Sequence, residues 1–359
     1  MPHSDGRRHT LADLYHENTE FDFLHRIWRW ALVSGLFLAI GLAAFGIRGG
    51  LNFGIDFTGG TAFQVTAQGA NPSASGVRAV LVGVGIPDAK IVIVGGTTLR
   101  VQTKDLTTAE QGKVREAIAG YAEVSPATVS ISDVSATWGD QVSSKAWRAL
   151  LIFFIVIALY LAIRFEFKMS VAAILAVVHD ILITVGIYAI TGFEVTPATV
   201  VAFLTILGFS LYDTVVVFDK IKENESSLGS TIGESYTDMA NRSLNQVLMR
   251  SINTSFVALL PVASLLVVGV GIMGALSLRD FGLALFVGLM SGAYSSIFVA
   301  TPILAWWKER EPRNRMIAGR VERRSVRVAA SSSGDASLDS VPAAIVAPKP
   351  RRAKGQKRR

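Results

Sequence analysis

The 359-residue sequence contains no cysteine. Disulfides, thiolate metal sites and cysteine nucleophiles are therefore excluded. Its five histidines are scattered, without His-x-x-x-His or His-Glu-x-x-His spacing, so no histidine-based metal centre is expected. Charge is scarce as well: 18% of residues are Asp, Glu, Lys or Arg, against 50% hydrophobic. The net +7 belongs to one end. From Lys308 onward 15 Lys/Arg face 5 Asp/Glu, a local +10, so the rest of the chain carries −3. Nucleotide fingerprints are missing too; GIDFTGG lacks the Walker lysine and does not open a helix. With no hydrolase or ATPase signature, no enzyme and no cofactor are expected. A transmembrane gradient is the natural source of energy.

What the sequence has is apolar length. Runs at 28–47, 146–163, 169–190, 197–218, 251–270 and 281–307 each reach or approach spanning length. The expected fold is an α-helical polytopic membrane protein with six transmembrane helices, preceded by a polar segment, 1–27. No small-residue cleavage site follows the first run, so it reads as a retained helix rather than a signal peptide. Trp28 and Trp30 suit an interfacial anchor at its start. Thr196 and Pro197 read as cap and first helical residue, and Pro261 should kink or loosen the fifth helix. Gly282, Gly288, Ser291, Gly292, Ser295 and Ser296 in the sixth suit close helix packing.

Between the first two runs, residues 48–145 read as a water-soluble domain. Strands are expected at 61–67, 90–94, 99–102 and 128–135, and helices at 75–84 and 107–121, the second opened by a Thr107–Glu110 capping box. This β-α-β-β-α-β order is the ferredoxin-like pattern.

Six spans put both termini on one side. Arg164, Lys168, Lys220, Lys222, Arg242 and the basic tail lie on that side, which reads as the cytoplasm, with the domain facing outward. The tail, 308–359, is expected to be disordered. Its charge suits a topology determinant touching anionic lipid; RNA contact is the other reading, carried by the basic run alone.

Three of the spans carry ionisable residues. Asp213 lies near the end of the fourth, where an ionised carboxylate costs a few kcal/mol and marks an ion or proton pathway, unless it is hydrated at the membrane boundary. His179 and Asp180 sit mid-way along the third. Neighbours on a helix diverge by about 100°, so one is expected to face the interior and the other an adjacent helix. Helix locking and transport both fit them. Arg250 opens the fifth span at a depth similar to that of Asp213. Snorkelling to the headgroups and pairing with Asp213 both fit it. Burial favours a neutral carboxyl and an approaching guanidinium favours an ionised one, which is the physics of proton carriage.

Four segments, GLNFGIDFTGGT, RFEFKMSVAAILAVVHDILIT, GFSLYDTVVVFDKIKEN and LNQVLMRSINTS, occur in order across residues 25–307. They closely resemble the SecF side of the SecD/SecF family of Sec protein-export membrane proteins, in the resistance–nodulation–division superfamily. The resemblance implies a SecD partner supplying six further spans and a second outward domain. It also implies work beside SecYEG and SecA on translocating preproteins, using the proton-motive force in a bacterial plasma membrane to promote late translocation and release. The family's intramembrane Asp and Arg fall on Asp213 and Arg250, and its His-Asp pair on His179 and Asp180. Where the family often has Asn before the Asp, this chain has Tyr212. A proton-driven exporter of small solutes and a non-transporting membrane scaffold are the alternatives.

Overall fold

In the computed structural model, residues 21–68, 72–94, 96–226, 228, 234–272 and 278–333 are described. Six helices among them are long and apolar enough to cross a membrane. The first is α1 (Ile27–Arg48), and the soluble domain follows it. In order come β1 (Asn52–Phe53), α2 (Ile55–Thr58), β2 (Gly60–Thr66), α3 (Ala74–Gly83), β3 (Lys90–Val94), β4 (Thr98–Thr103), α4 (Thr108–Tyr121) and β5 (Ser130–Val134).

The four-stranded sheet has the order β3-β4-β2-β5 with every neighbour antiparallel, the ferredoxin-like arrangement. Strand alternation sends Phe63, Leu99 and Val101 to one face, where they pack with Leu81 of α3 and Val114 and Ile118 of α4. The expected box caps α4: Thr107 and Glu110 each satisfy the other's backbone N–H. At the domain's entry Gly59 and Gly60 have φ of +73° and +122°, conformations that side chains resist. A Cβ on Gly60 would also collide with the Thr103 carbonyl of β4.

The chain then re-enters the bundle through α5 (Ala136–Arg164) and α6 (Phe167–Thr191). A two-residue strand β6 (Glu194–Val195) links α6 to α7 (Pro197–Glu225) and pairs in parallel with β1. Helix α8 (Tyr236–Ser264) continues in π geometry over Leu265–Ile272, beginning four residues after Pro261. Helix α9 (Arg279–Ser295) passes through a π turn (Ser296–Ala300) into α10 (Thr301–Lys308). Helices α6, α7 and the α9–α10 span are about half buried, whereas α1, α5 and α8 leave most of their membrane surface uncovered.

Helices α5 and α8 start well before their apolar runs. Ser135 caps one, and a Ser235–Asp238 box caps the other. Apolar length locates the hydrocarbon, while caps locate helix ends. The expectation of a disordered tail from Lys308 is corrected: α11 (Pro312–Ser333) is helical. Pro312 starts it, and Arg, Ala, Met and Glu are strong helix formers that a composition argument counts only as polarity and charge. Residues 334–359 lie outside the described residues, as do 1–20.

At the end of the bundle away from the sheet domain, Lys308 is buried. Its Nζ donates to Glu166 at 2.6 Å and Glu225 at 3.0 Å, tying the start of α6 to the ends of α7 and α10.

Candidate functional site

Asp180 of α6 and Asp213 of α7 are 0% and 2% exposed. Neither has a Lys or Arg partner among the described residues; each is held by serine hydroxyls. Asp180 Oδ2 accepts from Ser210 at 2.5 Å and Ser295 at 2.7 Å, and its Oδ1 accepts from Ser291 at 2.8 Å. Ser251 of α8 donates toward both oxygens of Asp213, at 2.7 and 2.6 Å, and Ser296 reaches Oδ2 at 2.5 Å. Hydrogen bonds to a charged acceptor are among the stronger ones, and that offsets burial.

The sequence builds this cluster from helical spacing. Ser291 and Ser295 lie four residues apart on one face of α9 and meet the same carboxyl. Ser295 and Ser296 are adjacent, so they diverge and serve one carboxyl each. At Ser296 the helix widens to π geometry. Pro302 explains the widening: it has no N–H for the carbonyl four residues back, and its ring crowds that carbonyl. Thr301 Oγ1 donates to the Ser296 carbonyl at 3.0 Å, which helps to satisfy the loosened turn. Gly292 packs against Ser210, where a Cβ would come within 2.9 Å of the Ser210 Cβ, so only glycine permits this approach of α9 to α7.

His179 and Asp180 are both buried. Their side chains curl together despite the helical offset, with Nδ1 and Oδ1 3.3 Å apart. The histidine ring lies 6.2 Å from the Tyr294 ring, whose hydroxyl contacts Ser34 at 3.1 Å and donates to the Trp30 carbonyl at 3.3 Å on α1. Two further buried polar atoms, His179 Nε2 and Ser255 Oγ, have no hydrogen-bond partner among the described residues. Ser255 is one turn beyond Ser251.

The pairing of Arg250 with Asp213 allowed by the sequence is not formed. Ser251 occupies the face of α8 toward Asp213, so its neighbour Arg250 is rotated about 100° away and is exposed, without an ion-pair partner among the described residues. Tyr212 is exposed as well. The five ligating serines were missed as ligands by sequence reading, which took Ser291, Ser295 and Ser296 for packing residues. Their signal was hydroxyls repeating at four-residue spacing in spans that must satisfy a buried acid.

A six-span bundle enclosing two protonatable carboxyls, with a ferredoxin-like domain inserted after the first span, defines a polytopic membrane protein with a polar, hydrogen-bonded centre. The chain belongs to the SecD/SecF family of protein export membrane proteins. The family's C-terminal model, "Protein export membrane protein SecD/SecF, C-terminal", matches residues 113–310, and its GG-motif model matches residues 44–70, which include Gly59 and Gly60. The chain is 42% identical over 329 residues to the protein translocase subunit SecF of Streptomyces coelicolor, covering 91% of this chain and 88% of that protein. It is 39% identical to SecF of Mycobacterium tuberculosis, covering 93% and 77%. The crystal structure of SecDF from Thermus thermophilus, described as translocon-associated, superposes with a TM-score of 0.73 at 34% identity. That match covers 82% of this chain and 39% of SecDF.

Proposed function

We propose that this chain is the six-span partner of SecD in a unit that spends the proton-motive force on late translocation and release of secreted polypeptides handed over by SecYEG and SecA. One observation carries the reading: Asp180 and Asp213 are buried among serine hydroxyls, with the His179 imidazole beside Asp180 and no Lys or Arg partner among the described residues, and they are joined through the consecutive Ser295 and Ser296. A serine hydroxyl donates to a carboxylate and accepts from a carboxylic acid equally well, so the site tolerates either protonation state. Each proton moved through about 100 mV supplies roughly 2.3 kcal/mol.

The SecD half is supported by the uncovered flank of α8. Arg250, Ile252, Phe256 and Val257 are exposed there. An arginine at this depth favours a polar partner over lipid, and we assign that role to the SecD bundle, with Arg250 approaching the carboxyl site when the halves move. The Lys/Arg-bearing connections on the side away from the sheet domain favour cytoplasmic termini in a bacterial plasma membrane.

Asp213→Asn keeps size and most hydrogen bonding while removing the exchangeable charge. In energised cells carrying normal levels of the variant, release of a pulse-labelled secreted precursor is expected to slow severely. Normal release would return Asp213 to a packing role.

A further inference from the structure

In a two-layer domain the helix-free face of the sheet normally meets water. Here it meets the membrane bundle. On β4, Leu99 and Val101 enter the domain core, and the alternate residues Arg100 and Gln102 leave on the opposite face. Both reach Glu194, which is 4% exposed in the link between α6 and α7. Gln102 Nε2 donates to Glu194 Oε1 at 2.5 Å, and Arg100 lies 3.4 Å from Oε2. The same guanidinium is 3.9 Å from Asp280 at the start of α9, which Arg279 also contacts at 3.1 Å. Tyr188 of α6 donates to the Asp280 carbonyl at 2.9 Å.

The link is fastened on its other side too. Glu194 and Val195 pair with Asn52 and Phe53, Asn52 Nδ2 donates to the Gly192 carbonyl at 2.9 Å, and Arg48 of α1 donates to the Ile190 carbonyl at 2.9 Å. One buried carboxylate thus touches the sheet domain while sitting between the helix that carries Asp180 and the helix that carries Asp213. Its partner Arg100 reaches toward the helix that carries Ser295. From Asp180 to Glu194 is roughly 20 Å at 1.5 Å per residue.

We propose that Glu194 is the joint by which movement of α6 and α7 is delivered to the sheet domain, a positioning residue that makes β4 and the α6–α7 link one body. It adds a buried tie to those the domain already has through its two chain connections, the two-residue β1–β6 ribbon with its Asn52 bond, and the contact of Arg100 with Asp280. This inference rests on the proton-driven reading above.

The test uses the full chain with SecD. Glu194→Ala is expected to cut precursor release about fivefold or more, the lower range of ordinary coupling between sites. Proton entry into vesicles bearing the complex should be unchanged. Glu194→Gln, which keeps an acceptor for Gln102, should recover part of the release. Because the chain is free of cysteine, Phe53→Cys with Val195→Cys, neighbours in the parallel ribbon, permits a clean lock. Oxidation should leave release intact if the joint stays closed as it moves. Normal release by Glu194→Ala overturns the proposal, and so does loss of release on oxidation that reduction restores. If Asp213→Asn itself leaves release normal, the proton-driven reading fails first; if Asp213→Asn blocks release and Glu194→Ala does not, only the joint fails.

Discussion

The bundle buries charge in two ways. At the end remote from the sheet domain, the ammonium of Lys308 meets two carboxylates of opposite sign, at 2.6 and 3.0 Å. At the centre, Asp180 and Asp213 meet serine hydroxyls, with His179 beside Asp180, and no Lys or Arg among the described residues. An ion pair fixes the protonation of both members, because either one alone is penalised. A hydroxyl shell imposes no such choice. The first arrangement is a lock between helices, and the second leaves room for a proton to come and go.

That contrast breaks most visibly at Lys308. Glu166→Gln together with Glu225→Gln strands a buried ammonium and is expected to cost about 3–5 kcal/mol in equilibrium unfolding of the purified protein. Lys308→Met should cost less, because the Glu166 side chain it abandons is 57% exposed and open to water. A double Gln variant as stable as the parent would mean that the lock contributes nothing.

Ser296→Ala is the next largest change. It leaves Asp213 with Ser251 alone, a loss of about 1–3 kcal/mol by the cost of an unmet buried polar group. Release should fall with it. Ser291→Ala should be milder on both counts, since Asp180 keeps Ser210 and Ser295. Equal effects would show that the two carboxyls are not distinguished by how many hydroxyls hold them.

The sheet domain was legible almost strand by strand, because water outside and hydrocarbon inside write alternation into a sequence. Phe63, Leu99 and Val101 obey it, and the Thr107–Glu110 box announced its helix. Inside the membrane that code runs out. Helices α6 and α7 are apolar toward both lipid and neighbours, so periodicity could not say which face of α6 held Asp180. The charges were conspicuous and the serines were not, since a hydroxyl in a small-residue stretch looks the same whether it packs or ligates. Charge and a shared depth on consecutive helices allowed Arg250 to pair with Asp213 as one of two readings; the roughly 100° step between Arg250 and Ser251 leaves that pair unformed. Glu194 was hidden for another reason: it belongs to a short link, and the β4 side chain that meets it, Gln102, lies 92 residues away.

The smallest effect isolates the medium. Glu110 Oε2 accepts from Thr107 Oγ1 at 2.7 Å, the same bond length as that from Ser251 to Asp213 Oδ1, but in water. The Thr107 hydroxyl and then its backbone N–H hold the Glu110 carboxyl below the usual glutamate range. A carboxyl lowered in the folded state contributes stability above its unfolded range and loses it as pH falls through the lowered value. Glu110→Gln removes that dependence. Amide exchange in the first turn of α4, taken as the ratio of variant to parent, should exceed one at about pH 5 and fall toward one as the pH drops through the lowered value and the Glu110 carboxyl becomes neutral. The difference should stay small, since an exposed pair is screened by solvent. A large difference would mean that hydroxyl ligation, rather than burial, sets the energetic weight of these carboxyls, and the distinction between the bundle's centre and its surface would then narrow.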